Sequence, residues 1–184
     1  MHEKAQRKQE FRDLILELVL LFKPHTYCEI GIKKGYVFNY ISRHVSRAVA
    51  VDIAPFRGIR KGGNTIHYQV SSIDFALKWT EQSNTQIDML FIDANHQAEY
   101  VLADVVALSP FVPEHTGLIL LHDTYPIRKE LLVDTRCSDA WLAAKYIHQD
   151  MVNEFEIVTL PGPQAGLSII RKAKTHGWMD ENGK

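Results

Sequence analysis

The chain has 184 residues, the size of one domain, and its 46% hydrophobic content is ample for a core covered by helices on two sides. Its 21 lysines and arginines nearly balance 22 aspartates and glutamates, so no overall field draws it to nucleic acid or an anionic membrane, and neither partner is expected. Cys28 and Cys137 lack metal-type spacing and read as free thiols, and the apolar run from Leu14 to Phe22 is too short to span a bilayer or form a signal core; the expected compartment is the cytoplasm.

Phe11, Leu14, Ile15, Leu18, Val19 and Phe22 recur at helical spacing, which predicts an amphipathic helix ending near Lys23-Pro24, either a lid or a packing helix. A strand is expected at 26–30, a glycine-bearing turn at 31–35 and a helix at about 36–45. Ala48 to Asp52 and Thr65 to Val70 read as further strands, with Ser71-Ser72 capping a helix at 73–83. Strands at 87–93 and 118–121 flank a helix from about 97 to 108 that stops before Pro110. This alternation implies a parallel sheet covered on both faces. A polar stretch, 123–137, precedes a helix at about 138–152. The strands 155–160 and 167–171 are joined by a turn too short for a helical crossover, so they form an antiparallel hairpin. The fold class is thus α/β: a Rossmann-like, doubly wound, mostly parallel seven-stranded sheet with a C-terminal antiparallel hairpin. Residues 1–25 form the N-terminal helix, 26–172 the domain proper, and 173–184 a polar tail in which Trp178 is the residue able to dock.

In such a sheet ligands bind beyond the carboxyl ends of the strands. The turn Glu29-Ile30-Gly31-Ile32-Lys33-Lys34-Gly35 follows the first strand, where glycines let backbone approach a ligand and Glu29 accepts hydrogen bonds from it. Asp52 ends the next strand about 20 residues on, where an acidic side chain takes ribose hydroxyls. Lysine at position 33 breaks the dinucleotide glycine pattern and disfavours a pyrophosphate ligand. The two features together indicate a nucleoside-bearing cofactor.

Glu29-x-Gly31-x-x-x-Gly35, Asp52, Phe91-Ile92-Asp93-Ala94-Asn95-His96 and Leu120-Leu121-His122-Asp123-Thr124 resemble successive motifs of class I S-adenosylmethionine-dependent methyltransferases over roughly residues 26–172. Within that class the chain most resembles the small-molecule and sugar O-methyltransferases of the macrocin type. The resemblance implies that Glu29, Gly31 and Gly35 line the methionine and ribose end of S-adenosylmethionine, with Asp93 beside them. It also implies that Asp52 with Ile53 holds the ribose, and that Ser71 or Ser72 with Ile73 flanks the adenine. Two departures stand out: Ala94-Asn95 replaces the family's usual glycine-aspartate, and His122-Asp123 replaces the paired carboxylates of several metal-dependent members.

Asp93, His122 and Asp123, with Asn95 or His96 nearby, are expected to gather at the strand ends and to offer oxygen and imidazole ligands to a divalent cation such as Mg2+. Such an ion would lower the pKa of an acceptor hydroxyl. A metal-free chemistry in which His96 or His122 takes the proton, with Asp93 beside them, is equally open. The Arg57, Arg60 and Lys61 loop reads as solvated, and Tyr125 and Trp141 either shape an acceptor pocket or belong to the core. The expected partner is a small-molecule acceptor. Because little chain precedes the first strand, the N-terminal helix, the 123–137 segment or a second copy must close its pocket, which makes a homodimer an expectation. An NAD(P)-dependent oxidoreductase and a non-catalytic cofactor-binding subunit are the alternatives.

Overall fold

The structure, a computed structural model, describes residues 2–81, 86–162 and 165–172, with side chains from Phe11 onward; the polar tail and Trp178 lie outside the described residues. Helix α1 (His2–Phe22) leads into β1 (Thr26–Ile30), followed by α2 (Phe38–Ile41), β2 (Arg47–Val51), β3 (Thr65–Tyr68) and α3 (Ser72–Thr80). The chain continues through β4 (Met89–Ile92), α4 (Ala98–Leu108), β5 (Leu118–His122), α5 (Ala140–Asp150), β6 (Phe155–Leu160) and β7 (Leu167–Lys172). No described helix is long and apolar enough to cross a membrane.

The strands form one seven-stranded sheet in the order β3-β2-β1-β4-β5-β7-β6. The first five are parallel, whereas β7 runs antiparallel to both β5 and β6, so the expected terminal hairpin inserts its second strand next to β5. Strand order reverses between β1 and β4, which opens a crevice at their carboxyl ends.

Side-chain alternation divides the core into two layers. Cys28, Ile30, Val49, Val51, Leu90, Ile92, Ile119 and Leu121 pack under α3, α4 and α5. Tyr27, Ala48, Ala50, Met89, Phe91, Leu118 and Leu120 face α1 and α2. Phe11, Ile15 and Val19 are buried against that second layer, so α1 packs on the sheet with its apolar stripe. Burial of each such side chain contributes about 1.5–3 kcal/mol. Lys23, with φ of 49°, closes α1 by donating its N–H to the Val19 carbonyl just before Pro24.

Helix α2 is much shorter than the sequence predicts. Beyond Ser42 the chain tightens, with the Arg43 and His44 N–H groups bonding three residues back to the carbonyls of Tyr40 and Ile41, and the Asn64 amide caps the carbonyls of Ser42 (2.8 Å) and Val45 (3.0 Å) that this end leaves free. Tertiary hydrogen bonding overrides local propensity there. Strand β3 likewise stops at Tyr68 instead of Val70, because Ser71 turns to cap α3.

Candidate active site

Period-two alternation and strand register together build the site. Ile30 lies opposite Ile92 and Ile92 opposite Leu121, so Gly31, Asp93 and His122 follow at matching positions at the carboxyl edge. Tyr27, Glu29, Phe91, Asp93, Leu120 and His122 all point to the α1 side of the sheet, and the crevice is therefore polar at its rim and apolar beneath.

The glycine turn is shaped by its own protein neighbours. Gly31 has φ of 88°, and a Cβ placed there would lie 2.3 Å from the Asp93 carbonyl oxygen and 2.5 Å from the Ala94 Cα. Only glycine allows β1 to leave the sheet so close to the end of β4. Asp52 holds the same turn from β2: its Oδ2 accepts N–H bonds from Ile32 (2.8 Å) and Lys33 (2.9 Å), and its Oδ1 accepts one from Ala54 (2.8 Å). A carboxylate offers about four lone-pair positions, so one remains for a ribose hydroxyl.

Glu29 is buried beneath the turn and receives the Tyr27 hydroxyl at 2.7 Å. Burial raises its carboxyl to about 8, with the Asp93 charge adding to the shift. At the next strand ends, Ile53 is 75% exposed and Ile73 45% exposed, an unusual display of aliphatic surface beside the crevice. Ser71 caps α3: it accepts the Asp74 N–H at 3.0 Å and donates to the Asp74 carboxylate at 2.7 Å. Ser72 instead donates its hydroxyl proton to Asp104 of α4.

Four side chains converge beyond β4 and β5. Asp93 Oδ1 lies 3.0 Å from His122 Nδ1 and 3.3 Å from His96 Nε2, while Asp123 reaches His96 Nε2 at 3.4 Å and His122 Nδ1 at 3.5 Å. Asp123 adopts φ of 60°, a conformation costly for a non-glycine residue, and lies buried within the cluster. Burial opposes the charge on Asp93, but the imidazoles of His122 and His96 outweigh it and hold the carboxyl well below its usual range. Burial also opposes charge on His122, yet Asp93 and Asp123 raise it to about 9; the balance for His96 is upward as well.

The two histidines differ in what lies behind them. His96 Nδ1 faces the Arg136 carbonyl, which fixes that nitrogen as the donor and leaves Nε2 toward the carboxylates. His122 Nε2 is buried without a hydrogen-bond partner among the described residues, beneath the Phe11 ring at 4.2 Å between centroids. Asn95 turns away from the cluster and accepts the Gln97 N–H at 3.0 Å.

Several contributors were not singled out from the sequence. The segment after β5 is tied down at His96 by the Arg136 carbonyl and at the start of α4, where Asp139 accepts the Ala98 N–H at 2.7 Å. A hydroxyl chain runs from Thr159 to Ser168 (2.7 Å) and from Ser168 to Thr124 (2.8 Å), bracing the residue next to Asp123. Apart from Thr159–Ser168, these bonds join residues 40 or more positions apart, for which local sequence carries no signal. Phe11 was legible as apolar, but its role as the cover of His122 was not.

The sheet order with its reversed β7, and a polar crevice at the β1/β4 switch, define the class: a Rossmann-like methyltransferase fold. The SAH-bound methyltransferase PaMTH1 of Podospora anserina is similar in structure, with a TM-score of 0.67, 16% identity, and 88% of this chain and 77% of that one covered. An SAH complex of a Bacillus cereus O-methyltransferase gives 0.64 at 15% identity, covering 91% and 80%. The SAM-bound O-methyltransferase TomG of Streptomyces achromogenes, involved in tomaymycin synthesis, gives 0.65 at 13% identity, covering 93% and 88%. No curated protein matches the sequence. The family described as "Methyltransferase domain" matches residues 28–124, more than half of the chain, and the protein belongs to that family.

Proposed function

We propose that this protein transfers a methyl group from S-adenosylmethionine to a hydroxyl of a small molecule or sugar, with His96 as the proton acceptor. The observation that carries the reading is the commitment of His96 Nδ1 to the Arg136 carbonyl, so that Nε2 is the nitrogen that exchanges a proton with an acceptor, and the imidazolium that results donates from Nε2 to Asp93. Asp93 and Asp123 stand ready to balance the imidazolium formed when that nitrogen takes the hydroxyl proton.

The residues suit the cofactor. Exposed Ile53 and Ile73 supply apolar contact for a base, Ser71 and Ser72 lie at the same strand end, and Asp52 retains one acceptor position for a ribose hydroxyl. Glu29 and Asp93, beside Gly31 and Gly35, give carboxyl groups for the cationic methionine end. When bound, S-adenosylmethionine supplies an electrophilic methyl on a positively charged sulfur. The chain's own part is to hold the acceptor hydroxyl against Nε2 of His96, keep water out, and retain the released proton.

A second reading rests on one observation. Asp93, His122 and Asp123 each offer a ligand atom, all within 4.8 Å of one another, and this donor set fits a divalent cation. An imidazole between two carboxylates suits manganese or zinc better than magnesium. A ligating imidazole ordinarily passes its other N–H to an acceptor, and His122 Nε2 has none among the described residues, so this reading stands second. The cation would polarise the acceptor oxygen, and His122, Asp93 and Asp123 would hold it.

Calorimetry with S-adenosylhomocysteine, followed by transfer of labelled methyl to a panel of hydroxyl acceptors, tests the proposal. His96→Ala should retain S-adenosylhomocysteine affinity and lose transfer. Absence of cofactor binding by the wild type would overturn the proposal, and loss of transfer on chelation with recovery on adding manganese would promote the second reading.

A further inference from the structure

Helix α4 turns Val101, Asp104, Val105 and Leu108 toward the core. The opposite face of a helix on a protein surface is ordinarily charged. On α4 it is not. Tyr100, Ala103 and Val106 lie outward, with Pro110 just past the helix end, and Val106 leaves 56% of its surface exposed. After Glu99 the next exposed ionisable side chain along the chain is Glu114.

The flanking helices continue this surface. A hydrogen bond from Ser72 to Asp104 joins α3 to α4, and Asp139 at the head of α5 accepts the Ala98 N–H of α4. Leu77 lies on the side of α3 away from buried Phe75 and Trp79, and is 66% exposed. Leu142 and Tyr146 lie on the side of α5 away from buried Ala140, Ala144 and Ile147, and are exposed as well. With Ala103 and Pro110 these side chains present roughly 700 Å² of mainly apolar surface, more than the largest patch of a typical monomer and close to one partner's share of a standard interface. No described segment of the chain covers it.

The charge pattern selects the occupant. A face with no ionised side chain at its centre has nothing to attract an acidic or basic partner, yet it meets its own copy with no like charges opposed. Exposed Asp74, Lys78 and Lys145 stand at the rim and carry both signs. The three helices run in the same direction, so a two-fold axis at Ala103 crosses α4 over its copy and lays α3 against the copy's α5. Alanine at the crossing lets the two backbones approach closely.

We infer that the outer face of α3, α4 and α5, centred on Ala103 and Val106, is the interface of a two-fold homodimer. It lies on the side of the sheet opposite α1, so this second copy does not close the acceptor crevice. That task falls to α1 and the segment after β5.

The test is sedimentation velocity of the full chain across micromolar concentrations, on the wild type, Val106→Glu and Tyr146→Glu. The wild type should sediment at twice the mass of the chain, with a Kd of about 10 μM or tighter. Each glutamate, placed on an exposed position, should weaken the dimer by about 100-fold or more while circular dichroism stays unchanged. A second measurement does not depend on those variants. Native Cys28 and Cys137 are buried, so Ala103→Cys offers a single accessible thiol, and a short bismaleimide should link it to its copy. Glu17→Cys, on the exposed side of α1, should stay unlinked. A wild type that is monomeric throughout overturns the inference. So does a dimer that survives both glutamates, or one that links through residue 17 and not through residue 103.

Discussion

The two halves of the crevice are built by different means. At β1 and β2 the rim is made of backbone: a glycine with positive φ, three N–H groups gathered on Asp52, and a turn pressed against the end of β4. At β4 and β5 the rim is made of side chains, with two carboxylates and two imidazoles brought from 93, 96, 122 and 123 and braced by residues from 124 to 168. The first half is fixed by backbone groups and has no room for a Cβ at Gly31, which suits an invariant ligand. The second depends on long-range bonds, and its chemistry follows whatever those bonds hold in place.

The contrast is broken most sharply by His96→Ala. Loss of a positioned base is expected to reduce kcat by about 10²–10⁴-fold. S-adenosylhomocysteine affinity, measured in parallel, should stay within about threefold, because the backbone-built half is untouched.

Gly31→Ala attacks the other half. The added Cβ meets the Asp93 carbonyl at 2.3 Å on a backbone that L-residues avoid, so urea unfolding should show a loss of about 2–5 kcal/mol. A loss below about 1 kcal/mol would mean that the turn is not held against β4.

Asp104→Asn should act with pH. Burial raises the Asp104 carboxyl from 3.8 to about 6, so the folded protein holds that proton more tightly than the unfolded chain. The carboxyl therefore lowers stability as pH rises from about 4 to about 6, and the deficit persists above that window. The asparagine variant should gain up to roughly 3 kcal/mol at pH 7.5 and nothing near pH 4, read as the difference in unfolding free energy. An equal gain at both values would remove the titration from the explanation.

Asp52→Ala removes the acceptor that gathers two turn amides and that of Ala54, and S-adenosylhomocysteine binding should weaken by about tenfold. Unchanged affinity would detach the turn from the cofactor. Thr159→Val, at the far end of the hydroxyl chain, should cost only about 1 kcal/mol of stability. A fall in kcat of tenfold or more in that variant would show that the chain to Thr124 also positions Asp123.

What was legible in the sequence was chiefly periodic or local. Period-two strands, the glycine turn, Asp52 at its strand end and the short link between the last two strands yielded the sheet and its antiparallel hairpin. Asp93, His96, His122 and Asp123 could be picked out as strand-end polar residues, because strand ends are fixed by the same alternation that marks the strands. The length of α2 departs from the expectation because the chain tightens to three-residue-back bonds at Arg43 and His44, where Asn64, some 20 residues away, caps the carbonyls left free.

By itself, then, the amino-acid sequence determined the α/β sheet and the candidate polar residues, since hydrophobic period, glycine and charge placement act over a few neighbouring positions. Tertiary structure alone decided which imidazole nitrogen is left free, which hydroxyl proton points where, and that Phe11 covers His122. Those outcomes depend on atoms of distant segments lying about 3 Å apart, a distance that hydrogen bonds enforce and sequence spacing does not encode.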